Sequence, residues 1–179
     1  MNSVVLGGQW LKDLNSDLSG SDRACAVLAG ALLDDRLMNL LKTYLVPSEK
    51  PNDDKLFSPS GALGSFSARI ELCRRLNLID DKTRLCLDLI RKIRNDAAHK
   101  HEFDFIEQST SDKVELILSK LEVKVIAPTL LRTPYDSPKG HFVVTIILLI
   151  CGLELEHKHT NQTNYTPTFD YSNVHFVEK

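Results

Sequence analysis

The sequence predicts an all-α fold: a compact bundle of about five or six helices followed by a poorly structured C-terminal tail. Three observations predict it. Apolar residues recur at three- and four-residue spacings through most of the chain. The periodic segments begin at Ser or Asp and stop at Pro or Asn, the usual start and stop chemistry of helices. The length, 179 residues, suits one domain and suffices to bury a core without metal or disulfide staples.

Taken in order, Trp10 to Leu18 is a short amphipathic candidate that Ser19-Gly20 breaks. Ser21 then offers an N-cap, with Asp22 in the first turn of a helix running to Leu45 and ended by Pro47. Val27, Ala31, Met38, Leu41 and Leu45 form its expected inward stripe, with Leu28 and Leu32 beside it. Residues 47–64 make a long loop, a length that points to a functional or mobile segment. A second helix spans Ser65 to Leu76, with Phe66, Ile70 and Cys73 inward and Asn77 as its stop. Asp80 caps a third, which runs to His99 and buries Leu85, Cys86, Leu89, Ile90, Ile93 and Ala97. Ser109 to Ser111 offers a cap before a short helix through Val114, Ile117 and Leu121.

From Val123 to Gly140 the reading is ambiguous: Val123, Val125 and Ile126 suit a helix extension or a short strand, and Pro128, Pro134, Pro138 and Gly140 make the rest a loop. In the apolar run from His141 to His157, Val143 to Ile147 favour strand by propensity, whereas the length favours a buried helix, the reading adopted. The expected organisation is a single helical domain over residues 1–157 and a polar, extended or disordered tail over 158–179.

Composition excludes several function classes. The formal net charge of −2 draws the chain neither to nucleic acid nor to an anionic membrane, so any RNA contact needs a local patch. The longest apolar run, Phe142 to Leu153, falls short of a membrane span. Cys25, Cys73, Cys86 and Cys151 lie in apolar segments without C-x-x-C spacing, as in a reducing compartment, so a cytoplasmic location is expected. The N-terminus shows no signal-peptide pattern.

The end of the third helix carries the chemistry. Asn95 and His99, four apart, share a face, and Arg94 sits one position round. A guanidinium clamps phosphate oxygens, an imidazole moves protons near neutral pH, and an amide orients either group or a ribose hydroxyl. Arg91, Lys92 and Lys100 make the segment locally basic and are the expected RNA contacts. The helix dipole places partial negative charge near His99, which suits a general acid and equally a His that only closes a helix. The plain alternative for all three residues is a hydrogen-bonded helix end.

Arg94-Asn95-x-x-x-His99 resembles the R-N-x-x-x-H signature of the HEPN superfamily, small helical domains that include metal-independent endoribonucleases. That resemblance implies Arg and His from two protomers meeting across a dimer interface. A wider resemblance runs over roughly residues 21–105, through Asp22 to Leu45, Leu63 to Ile70, Leu78-Ile79 and Ile90 to Asn95. It is to the mannitol operon repressor (MltR) family, all-helical regulators without a recognisable DNA-reading motif, which implies action through protein partners.

The leading expectation is therefore a HEPN-like endoribonuclease acting as a homodimer without metal or cofactor. In it Arg94 holds the scissile phosphate, His99 acts as acid/base and Asn95 orients the attacked group. The alternative is a non-catalytic MltR-like transcriptional regulator working through protein contacts. A third reading adds an antitoxin partner to the first. Asp96, inside the motif, is expected to compete for Arg94 or Lys92.

Other features have bland readings. Gly61 to Arg69 lacks P-loop order and reads as a turn before a helix. Asp34 and Asp35 interrupt an apolar helix, and Arg69 is the expected partner of a semi-buried acid there. Glu154, Glu156, His157 and His159 match no metal-ligand spacing. Tyr165, Phe169, Tyr171 and Phe176 suit stacking on bases or docking on a protein, and the scarcity of Lys and Arg beside them argues against nucleic acid.

Overall fold

Five helices, and no strand among the described residues, make up the computed structural model. It describes Ser16, residues 18–50, 54–121 and 136–162, with only the helical backbone for 155–162. The helices are α1 (Asp22–Tyr44), α2 (Phe66–Arg75), α3 (Asp81–His99), α4 (Gln108–Leu121) and α5 (Pro138–Gln162). Most of the Trp10–Leu18 candidate, residues 122–135 and the tail from 163 onward lie outside the described residues.

The expected caps form. Ser21 accepts from the Ala24 N–H at 3.2 Å, Ser65 from Ala68 at 3.2 Å and Asp80 from Thr83 at 2.7 Å. Each satisfies a donor that the first helical turn leaves orphaned. The stop after α2 is equally local. Asn77 adopts a left-handed φ of 57°, and Leu78 N–H returns to Cys73 O at 2.9 Å, closing the helix as a Schellman-type turn. Within the 54–64 loop, Leu63 N–H bonds Leu56 O at 2.9 Å, so the backbone folds against itself. A Cβ on Gly61 would lie 2.1 Å from Lys55 O, so only glycine fits this approach. Phe57 and Leu63 from the loop join the core.

Direction follows from the polar contacts. Lys139 meets Asp22 at 3.2 Å and Arg36 meets Glu154 at 2.8 Å, so α1 and α5 run the same way. Arg23 reaches the last carbonyls of α3, so α3 runs against α1. Lys113 meets Asp96 at 3.2 Å, so α4 turns back against α3. α1 is the hub, packed on α2, α3 and α5.

Two expectations need correction or resolution here. On α1 the buried residues are Cys25, Ala26, Ala29, Gly30, Leu33, Leu37, Leu40 and Leu41, whereas Val27 and Ala31, both expected inward, are exposed, Val27 by 37%. From Ala24 to Leu33 the helix is apolar all round, so there the period alone did not set the phase. The small Ala26, Ala29 and Gly30 let neighbouring helices approach, and that closeness sets it. The Val143–Ile147 run lies in α5, which starts at Pro138, earlier than expected, and extends through Gln162. Residues 142–147 are buried on every side, so burial overrides β-propensity. At the shared base of α1 and α5, Phe105 packs on Phe142 with ring centroids 4.8 Å apart.

Candidate functional site

Arg94 crosses over α1 where that helix has no side chain. A Cβ placed on Gly30 would lie 2.6 Å from Arg94 Cγ and 3.0 Å from its Cβ, inside ordinary contact. The Arg94 stem thus occupies the notch that Gly30 leaves. Its guanidinium stays exposed and donates to Asn95 Oδ1 at 3.0 Å. Adjacent helical residues do not normally face each other. This bond requires Arg94 to lie sideways across the helix, as the notch permits.

Arg94 has no acidic partner among the described residues. Asp96, expected to compete for Arg94 or Lys92, instead pairs with Lys113 of α4 at 3.2 Å. Position 96 lies on the side of α3 that α4 covers, so the nearer cation in space wins over those nearer in sequence. His99 is exposed, and its side chain makes no hydrogen bond among the described residues. Asn95 therefore orients Arg94 and not His99.

The basic patch is partly neutralised. Arg91 lies 3.4 Å from Asp88, and Lys100 lies 3.0 Å from Glu107. The Glu107 hydrogen bond raises the Lys100 pKa, and Lys100, then Ser109, lower that of Glu107. Lys92 is exposed without an ion-pair partner among the described residues. The uncompensated cations on this stretch of α3 are thus Lys92 and Arg94.

Arg23, which the sequence did not single out, organises the helix end. Its guanidinium donates to Ala97 O, to Lys100 O at 2.9 Å and to His101 O at 2.7 Å. A positive charge already sits on the carbonyls whose partial negative charge His99 was expected to use. Asp22 fixes the following loop by accepting from Phe105 N–H at 3.0 Å. Arg23, Lys113 and Gly30 carry no local signal, since each acts on a residue far away in sequence.

The surroundings of Arg94 are shallow. By helical register, Val27 of α1 and Ala98 of α3 flank the crossing, and both are exposed. A groove of about 540 Å³ lies at the opposite end of α3, between Leu78, Ile79, Thr83, Leu121, Leu149 and Gly152. No group of three or more potential metal ligands occurs among the described residues. Glu154, weighed as a metal ligand, faces Arg36 at 2.8 Å in an ion pair too poorly aligned to count as a hydrogen bond. No helix among the described residues is long and apolar enough to cross a membrane.

No protein-family model matches the chain. No curated protein matches it either. Among solved structures it is similar to a chain of the X-ray structure of the MtlR-HPr complex from Escherichia coli. The TM-score is 0.59 and the identity 18%, covering 82% of this chain and 99% of that chain. At this identity the likeness is one of fold, and the architecture of the chain is MltR-like.

Proposed function

We propose that this chain is a non-catalytic, MltR-like regulator that works by docking a partner protein on the face where α3 crosses α1. The observation that carries this reading is the Arg94 guanidinium: exposed, held sideways by Gly30 and Asn95, and without an acidic partner among the described residues. An anchored arginine on a shallow face with apolar flanks has the make-up of an interface hot spot. Val27 and Ala98 supply the flanks. The fold adds support, because the similar structure is a complex with HPr.

The experiment is calorimetric titration of the full chain with unphosphorylated HPr. Micromolar or tighter binding, weakened about tenfold or more by Arg94→Ala, is the expected result. No binding, or binding indifferent to Arg94→Ala, overturns this reading for HPr at this face.

A second reading has its own observation. Arg94 and His99 are both solvent-accessible and neither is tied to a carboxylate among the described residues, as a metal-independent endoribonuclease acting across a homodimer interface needs. Against it stand the Asn95 contact, which goes to Arg94, and the partial neutralisation of Arg91 and Lys100.

A further inference from the structure

We infer that Gly30 is the positioning residue for Arg94: its missing side chain is the seat that aims the guanidinium at an acidic side chain of a docked partner. Nothing in the backbone calls for glycine here. Gly30 lies inside a continuous α-helix without a positive φ, where glycine destabilises relative to alanine. What does require glycine is the approach of Arg94, whose Cγ would stand 2.6 Å from any added Cβ. The atom in conflict is near the root of the arginine, so the stem cannot swing aside without carrying the whole side chain with it.

The consequence is directional. With the stem in the notch, one terminal nitrogen of the guanidinium donates to Asn95 Oδ1, and its other donors have no acceptor among the described residues. With one nitrogen bonded to Asn95 and the stem seated on Gly30, the planar fork has fewer orientations open to it and keeps its other donors for a carboxylate. A substitution at Gly30 lifts the stem, breaks the Asn95 contact and turns the donors into a freely rotating surface charge. The aim at a partner rests on the docking reading above, whereas the seating of Arg94 does not.

The test compares wild type, Gly30→Ala, Arg94→Ala and the double variant. In nitrogen-15 NMR, the Arg94 Nε signal is assigned by its loss in Arg94→Lys. In Gly30→Ala it is expected to move to the position of freely exposed arginines. Gly30→Ala should cost less Tm in the Arg94→Ala background, where the 2.6 Å conflict with Cγ is gone and only the 3.0 Å approach of Cβ remains, than in wild type. Against unphosphorylated HPr, Gly30→Ala and Arg94→Ala should each cost about tenfold in Kd, and the double variant no more than either. An unmoved Arg94 signal, or an equal Tm change in both backgrounds, overturns the seating. Additive binding losses overturn the claim that Gly30 acts through Arg94. If wild-type protein does not bind HPr, the docking reading falls, while the NMR and Tm comparisons still decide the role of Gly30.

Discussion

Arg69 and Asp34 meet at 2.6 Å across the α1–α2 contact, and Arg69 Nε also donates to Leu63 O at 2.8 Å. One side chain therefore ties α1, α2 and the end of the 54–64 loop together. Arg69 keeps 9% of its side chain exposed and Asp34 keeps 27%. Removing one member of such a pair strands the other. Arg69→Ala is expected to cost about 3 kcal/mol, the low end for breaking a buried pair, because Asp34 retains some water. Replacing both, as Arg69→Met with Asp34→Leu, should recover much of the loss. Urea unfolding of the three proteins checks this, and a double variant as unstable as the single one would refute it.

Arg23 closes α3 from outside the helix, through the carbonyls of Ala97, Lys100 and His101. Charged hydrogen bonds of this kind are worth roughly 1.5–3 kcal/mol. Arg23→Ala should lower stability by that order. It should also speed amide hydrogen exchange locally, over residues 98–105, before global unfolding. Unchanged exchange in that stretch would mean that the cap is redundant with Asp22, which holds Phe105 N–H at 3.0 Å.

The acid side of the stability curve should show the caps titrating. The Thr83 backbone N–H, then its side chain, hold Asp80 below the usual aspartate range, and Lys100, then Ser109, hold Glu107 below the usual glutamate range. Carboxyls depressed in the folded state contribute stability above their unfolded pKa. That stability is lost as pH falls through their folded pKa. Tm should therefore hold from about pH 7 to about pH 5 and decline below about pH 4. Asp80→Asn keeps the cap but does not ionise, so its Tm deficit relative to wild type should shrink as pH falls below about 4. A deficit constant from about pH 6 to about pH 3 would exclude Asp80 from the acid transition.

Burial pushes the thiols of Cys25 and Cys73 up to about 12 and that of Cys86 up to about 11. Burial also raises Cys151, which is only partly covered. The thiolate is the reactive form, so Cys25, Cys73 and Cys86 should resist alkylation at about pH 8 in the folded protein. Mass spectrometry should find Cys151 labelled first and the others only after denaturation. Rapid native labelling of Cys25 would contradict the packing of α1 on its neighbours.

Much of the fold was legible because its signals are local. Ser21, Ser65 and Asp80 each bond an N–H three residues on, and Asn77 reverses the chain through its own φ. That Arg69 pairs with one of Asp34 and Asp35 was legible for a different reason: each charge interrupts an apolar helix and so needs a partner, and the structure picks Asp34. The phase of α1 was not legible, since Val27 and Ala26 are both apolar, Val27 the more so, and only the closeness of neighbouring helices puts the smaller residue inside. At the site, the sequence brought Arg94, Asn95 and His99 onto one helix end. Gly30, Arg23 and Lys113 act on that end from positions remote in sequence, so no spacing rule reaches them. Asp96 was assigned the wrong partner for the same reason, with Lys113 presented by a separate helix.

The two functional readings part on His99. It lies exposed at the end of α3, and its imidazole makes no hydrogen bond among the described residues. Docking through Arg94 needs no proton transfer, so His99→Ala should change HPr affinity less than about threefold, as expected for a peripheral contact. Cleavage of RNA without metal needs an acid/base group, and losing one costs about 10²–10⁴ in rate. Single-stranded RNA incubated in EDTA with wild type, Arg94→Ala and His99→Ala therefore decides between them. Intact RNA with the folded wild type, alongside HPr binding that depends on Arg94 and not on His99, establishes the docking reading. EDTA-resistant cleavage by wild type that either substitution abolishes would overturn the non-catalytic assignment and make the α3 end a ribonuclease site.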